Sequence, residues 1–129
     1  MNGSSVEEWI QEAEADYKSA LDLARRRKEP IPKRVCWDCQ QCAEKYLKAF
    51  LVRHAKSFTF RHDLTELKTL CDEIDPDFHL IVDDLDELNA YGPDIRYPGS
   101  VATVEDARSA LTAMKCVRQF IRAKLGVGK

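Results

Sequence analysis

The chain has 129 residues, a formal net charge of −2, and 44% hydrophobic and 33% charged residues. This length fits a single domain over residues 1–129, with an ordered core over about 6–125. The near-balanced charge excludes a protein that binds nucleic acid or membranes through its net charge. No apolar run reaches the roughly 20 residues that span a bilayer, and the first residues do not resemble a signal peptide. Five cysteines do not suit a disulfide framework, so we expect a reduced, cytoplasmic protein.

The first helical pattern begins near the N-terminus, at Val6. Apolar residues recur at helical spacing from Val6 to Ala24, and the spacing predicts a first helix over about 6–28. Two prolines, Pro30 and Pro32, stop it because a residue before proline avoids the helical region. A second helix is predicted over about 33–56.

Three cysteines lie at a spacing of three in the second helix, at Cys36, Cys39 and Cys42. Residues at these positions of one continuous helix do not converge on a single metal ion, which needs about four ligands at tetrahedral angles. They lie in the middle of the apolar arc, where a thiol behaves as a small hydrophobic group. We therefore expect them to face the core and expect no metal site. Gln41, Glu44, Lys45 and Lys48 fall on the opposite side of this helix.

The last three helices carry start and stop signals. Asp63 and Glu66 resemble a capping box that begins a third helix ending near Ile74. Asp75 followed by Pro76 indicates the start of a fourth helix, which Gly92 and Pro93 end. Residues 94–102 are predicted to be an irregular loop.

The fifth helix is predicted to begin after Thr103, which can form a capping box with Asp106, and to end near Leu125. No strand pattern competes with these helices. The fold class is therefore all-α, an antiparallel up-and-down bundle of four to five helices.

Several polar residues need a partner or a function. Asp16 falls inside the apolar stripe of the first helix. Pairing with a cation of a neighbouring helix is its expected role, and a direct catalytic role is the alternative. A basic strip on the last helix is either a phosphate-binding surface or a solvated face, and its members are Arg108, Lys115, Arg118 and Arg122. In the loop before this helix, Arg96 can hold a phosphate while Tyr91 or Tyr97 stacks on a base; alternatively, the loop only connects two helices.

Four segments in order resemble the HEPN domain family (higher eukaryotes and prokaryotes nucleotide-binding). Residues 39–51 (CQQCAEKYLKAFL) are similar to the family's signature helix, in which small residues occupy the positions of Cys39 and Cys42. The other three segments are residues 13–17 (AEADY), 61–67 (RHDLTEL) and 96–98 (RYP).

The resemblance implies a helical bundle that forms a homodimer or larger assembly, in a small prokaryotic protein. It also implies a partner, a minimal nucleotidyltransferase, in a pair similar to toxin–antitoxin modules. The residues that match the family pattern by position are Asp16, Lys45, Lys48, His62, Asp63, Arg96 and Tyr97. The candidate nucleotide-binding residues are Arg96, Tyr97, Tyr91, His62, Lys45 and Lys48.

Many HEPN proteins are metal-independent ribonucleases whose motif is an arginine followed, after four to six residues, by a histidine. No arginine of this chain has a histidine at that spacing, and Arg61 and His62 are adjacent. The leading hypothesis is accordingly a binding module without a cofactor. It would self-associate and bind a nucleotide, a nucleotidyltransferase partner or both. One alternative is a divergent ribonuclease using Arg61, His62 or Arg96, with histidine as the base. Another is a purely structural subunit.

Overall fold

The computed structural model describes residues 3–59 and 63–128. Within these two ranges the chain forms helices and no strand, so the all-α prediction is confirmed. None of these helices is long and apolar enough to cross a membrane. The helices are α1 (Val6–Ala24), α2 (Pro32–Arg53), α3 (Leu64–Ile74), α4 (Val82–Asn89) and α5 (Val104–Leu125), with 3₁₀ segments at Pro76–Ile81 and Pro93–Arg96.

Helix α2 occupies the centre of the bundle and packs against each of the other four helices. The thiols of Cys36, Cys39 and Cys42 are fully buried, as predicted from their place in the apolar arc. Burial raises the pKa of the Cys36 thiol to about 12, because a thiolate loses its hydration in the core. These cysteines therefore act as small packing residues at the centre of the fold.

The side of α2 opposite the cysteines is also covered, which its sequence did not indicate. Gln41, Glu44 and Lys48 are buried, with 8%, 2% and 4% of their surface exposed. The aromatic rings of Trp9 and Phe58 lie over Lys48, whose Nζ is 5.4 Å and 5.6 Å from their centroids. From Val35 to Leu51 the helix thus has no exposed side chain, and its polar residues there need partners inside the protein.

The first two helices are shorter than predicted. Helix α1 ends at Ala24 rather than near Lys28, and residues 25–31 form the connection to α2. In this connection Glu29 adopts a left-handed conformation with φ of 49°. Pro32 occupies the first turn of α2, where its missing N–H is no loss.

The later elements follow their capping signals with two differences. Residues 76–81 form a 3₁₀ segment before α4, and Pro93–Arg96 forms a 3₁₀ turn inside the predicted loop, which buried Ile95 anchors. Asp63 caps α3 as predicted, whereas the Glu66 carboxylate accepts a hydrogen bond from the Thr59 hydroxyl at 3.2 Å. The predicted capping box of α5 is present.

Helices α2 and α5 end in the same way with different residues. After α2, the Ala55 N–H donates to the Val52 carbonyl at 3.0 Å and the Lys56 N–H to the Leu51 carbonyl at 2.9 Å. This hydrogen-bond pair is a Schellman motif, which requires a left-handed residue. Ala55 holds that position with φ of 54°, and Gly126 holds it in α5 with φ of 73°.

We expect Ala55→Gly to raise the free energy of unfolding by about 0.5–1 kcal/mol, because glycine adopts the left-handed region without the strain of a Cβ. Urea unfolding followed by circular dichroism measures the change. The matched control is Gly126→Ala, which we expect to lower stability by a similar amount. A loss of stability in Ala55→Gly would contradict the assigned strain.

The thiols provide a test of how α2 is oriented. Cys36, Cys39, Cys42 and Cys71 are buried, whereas Cys116 is exposed on α5. In the native protein we expect a thiol-reactive dye to label Cys116 and leave the other four unreacted until denaturant is added, as peptide mass mapping would show. Rapid labelling of Cys39 or Cys42 in the native state would contradict the inward orientation.

Candidate functional site

Arg96 is the centre of an aromatic and cationic surface. Its guanidinium carbon lies 4.5 Å from the ring centroid of Trp37 and 5.8 Å from that of Tyr97. Its Nε donates to the Pro93 carbonyl at 3.3 Å, within the 3₁₀ turn. Lys33 ties the loop to α2, because its Nζ donates to the Tyr97 carbonyl at 2.9 Å. The stacking fixes Arg96 against α2, while the loop leaves 57% of Tyr97 exposed.

A groove of about 630 Å³ opens beside this stack. Its cations are Lys33, Arg34 and Arg96, and Trp37 forms an aromatic wall. The remaining lining residues are Ser19, Leu23, Ile31 and Ile95. Three cations next to aromatic rings can hold a ligand that carries both an anionic group and a planar ring.

Two other candidates, Lys45 and Lys48, lie away from this groove and form ion pairs. The Lys45 Nζ is 2.6 Å from the Asp16 carboxylate, so the pairing expected for Asp16 is confirmed. The Lys48 Nζ is 2.9 Å from the Glu44 carboxylate in a buried pair. Lys45 lines a separate pocket near the start of α1. The structure therefore does not bring these lysines together with Arg96.

The carboxylates between α1 and α2 are held in a mostly desolvated seam. The Ser19 hydroxyl donates to Asp38 at 2.6 Å, one helical turn beyond Asp16 on α1. Burial raises the pKa of Asp16 and of Asp38 above the ordinary range, and it outweighs the opposing effects of Lys45 and Ser19. This seam connects the helices and leaves no open cationic surface at Lys45.

Tyr91 is also withdrawn from the groove. Only 8% of its surface is exposed, and its hydroxyl donates to the Glu87 carboxylate at 2.6 Å. Burial and this hydrogen bond raise the pKa of the phenol. The remaining candidates, Arg61 and His62, lie outside the described residues.

The predicted basic strip of α5 is divided between two places. Lys115, Arg118 and Arg122 line one pocket of about 460 Å³ with Tyr17. Arg108 lines another groove, which Arg25 to Arg27 share. The structure therefore does not place the four cations in one site.

Two cations of the strip are bound to a carboxylate network beneath the surface. Arg118 donates to both oxygens of Glu14, from Nε at 2.7 Å and from Nη2 at 2.8 Å. The Tyr46 hydroxyl donates to the same carboxylate at 2.5 Å and accepts from Arg122 Nη1 at 3.0 Å. Arg118 also stacks on the Tyr17 ring, at 4.2 Å from its centroid. This network joins α1, α2 and α5.

Sequence reasoning missed two features of this region. It did not associate Lys33, Arg34 and Trp37 with the Arg96 loop, which lies about 60 residues further along the chain, and no sequence signal links them. It also passed over the four consecutive cations of residues 25–28, because they were assigned to the end of the first helix. The prolines after this run were the available signal that the run lies on a connection.

Glu14→Gln tests the network. The Arg118 hydrogen bonds hold the pKa of Glu14 below its ordinary value of 4.5, so ionised Glu14 stabilises the native state at neutral pH. We expect the substitution to lower the free energy of unfolding by roughly 2–3 kcal/mol at pH 7, because it replaces charge-assisted hydrogen bonds. The difference between wild type and variant should shrink as the pH falls below about 4.5, where Glu14 becomes protonated.

Urea unfolding at a series of pH values measures this difference. The matched control is Glu7→Gln at an exposed position of α1, which we expect to change stability by less than about 0.5 kcal/mol. A difference at pH 7 that persists unchanged into acid would contradict the role given to the Glu14 charge.

Comparison with known proteins identifies the family. The sequence model of the HEPN domain matches residues 6–125, which is nearly the whole chain and includes every helix. Neither the curated proteins nor the solved structures gave a match. The match supports a helical, nucleotide-related module. On the strength of its coverage, the chain belongs to the HEPN domain family.

Proposed function

We propose that this chain is a binding module that holds a nucleotide in the groove beside Arg96. The observation that carries the proposal is the juxtaposition of Arg96, Trp37 and Tyr97 with Lys33 and Arg34. Arginine presents a planar fork that suits phosphate oxygens, and an exposed tyrosine ring suits the face of a base. The groove volume of about 630 Å³ falls in the usual range of small-molecule sites.

The phosphates would contact Lys33, Arg34 and the outer edge of Arg96, because Trp37 covers one face of that guanidinium. The base would stack on Tyr97, which is the most exposed ring of the group. No proton transfer or bond cleavage is assigned to these residues. The module would bind without chemistry of its own.

Self-association and pairing with a nucleotidyltransferase are part of the same proposal, and family membership supports them. Sedimentation velocity of the purified chain tests the first, and co-purification with a minimal nucleotidyltransferase tests the second. The alternative, ribonuclease activity, would use Arg61 or His62, which lie outside the described residues, or Arg96. Nucleotide binding is therefore the function that the described geometry supports best.

We expect Arg96→Ala to weaken binding of ATP or GTP about tenfold or more, because it removes a charge-assisted contact worth roughly 1.5–3 kcal/mol. Arg96→Lys should recover part of the affinity, since it keeps the charge and loses the planar fork. Isothermal titration calorimetry measures both variants against the wild type.

Lys115→Ala serves as the matched control, because it removes an exposed cation of α5 outside this groove. We expect it to change the affinity less than about twofold. Absence of saturable heat with the wild type would contradict nucleotide binding. An equal loss in Lys115→Ala and Arg96→Ala would contradict the location of the site.

A further inference from the structure

A second groove, of about 670 Å³, lies between the connection 25–31 and the beginning of α5. Its floor is aliphatic, formed by side chains such as Leu23, Val35 and Leu111. None of its lining residues is aromatic. It adjoins the Arg96 groove only through Leu23 and Ile31, which line both.

Arginines surround this aliphatic floor. Arg25, Arg26, Arg27 and Arg108 all line the groove. Lys28 continues the basic run, and Glu29 is the one acidic residue in the connection 25–31.

Two ion pairs on this rim, Arg25–Asp22 and Arg108–Glu105, are long and solvent-exposed. Arg25 is 3.4 Å from Asp22 and Arg108 is 3.8 Å from Glu105, with about three quarters of each side chain exposed in both pairs. Such pairs contribute little, so the rim keeps a net positive charge.

Exposed apolar side chains gather at the same place. Ile31 and Val104 line the groove and have 39% and 41% of their surface exposed. An aliphatic surface of this kind, bordered by charge, is typical of a protein-binding groove.

The aliphatic floor and the basic rim of the groove favour one class of ligand over others. Single-stranded nucleic acid binds through stacking on aromatic rings, and this floor has none. Duplex nucleic acid uses its phosphates and would leave the aliphatic floor uncovered. An amphipathic helix with aliphatic anchors at helical spacing, flanked by aspartate and glutamate, fits this groove. Its anchors would pack on the aliphatic floor, and its carboxylates would pair with the arginines of the rim.

The acidic helix of this chain does not supply such a segment. Helix α4 carries Asp83, Asp84 and Asp86, but its apolar Leu85 and Leu88 are buried in its own core. Leu80, in the 3₁₀ segment before α4, is exposed. A second copy would therefore present the charges of α4 with this single aliphatic anchor rather than with a row of anchors at helical spacing. We propose that the groove binds an acidic amphipathic helix of a different protein, with aliphatic side chains on the floor and carboxylates on Arg25, Arg26, Arg27 and Arg108.

Fluorescence polarisation with the full chain tests this proposal. The probe is a labelled peptide of about 16 residues, or about four helical turns, with leucine at helical spacing and glutamate elsewhere. There are two comparison peptides. One has the same composition in scrambled order, and the other has the same pattern with lysine in place of glutamate. We expect saturable binding of the first peptide only, weakening as salt is raised from about 0.05 to 0.3 M.

Three variants locate the site. We expect the double variant Arg26→Glu, Arg27→Glu and the single variant Val104→Asp each to weaken binding about tenfold or more. Aspartate in the first turn of α5 also favours the helix N-terminus, so folding should be retained, which circular dichroism checks. Lys18→Glu, on an exposed part of α1, should leave the affinity unchanged.

Arg96→Ala should also leave peptide binding unchanged, which separates this groove from the nucleotide groove. Four results would overturn the proposal: no saturable binding of the amphipathic peptide; equal binding of the scrambled peptide; tighter binding of a single-stranded oligonucleotide lost in Arg26→Glu, Arg27→Glu; or self-association of the wild type that Val104→Asp abolishes. The last two would assign the groove to nucleic acid or to a second copy.

Discussion

The burial of α2 from Val35 to Leu51 is the constraint on which the rest of the structure depends. Over this length the helix has no exposed side chain, so its charged and polar groups must be satisfied within the protein. Lys45 is paired with Asp16, Asp38 accepts from Ser19, and Tyr46 donates to Glu14, so three of these contacts reach α1. These contacts fix α1 against the core, because its fully buried side chains are only Ala13 and Ala20.

The same constraint decides where exposed cations remain. The carboxylates of α1 bind cations of α2 and α5 along the middle of the bundle, including Lys45 and Arg118. A run of exposed cations lies around the two adjoining grooves, at residues 25–28, at Arg34 and at Arg96. Other exposed cations, such as Lys18 and Lys115, lie elsewhere on α1 and α5. A chain with a net charge of −2 thus has a local concentration of positive charge where the first connection meets the Arg96 loop.

The sequence was sufficient for the helices and for the orientation of the thiols. Periodic apolar residues and capping signals such as Asp63 and Thr103 act over a few residues, so they can be recognised from the sequence alone. It was insufficient for the network around Glu14, whose partner Arg118 is 104 positions away. It also did not indicate that the polar side of α2 is buried, because only the tertiary structure shows that Trp9 and Phe58 cover Lys48.

In the candidate site, too, the local features were predicted from the sequence and the long-range contacts were not. Arg96 and Tyr97 were identified from a short motif. Arg96 lines the groove beside α2, and the ring centroid of Tyr97 lies 5.8 Å from its guanidinium carbon. Their neighbours Lys33, Arg34 and Trp37 come from another part of the chain and were not associated with them. Tyr91, close in sequence to Arg96, is directed towards Glu87 instead. Proximity in sequence thus predicted a loop and its residue types but not the composition of the groove.

The connection between α1 and α2 has a kinetic consequence. Pro30 and Pro32 restrict its backbone, Glu29 turns it, and helices of 19 and 22 residues hold its two ends. The backbone that carries the arginines is restricted before any partner arrives, so little backbone entropy is lost on contact. Encounter with an anionic partner would then be accelerated by long-range attraction and slowed by added salt, while the lifetime of the complex would depend on the apolar contacts made afterwards.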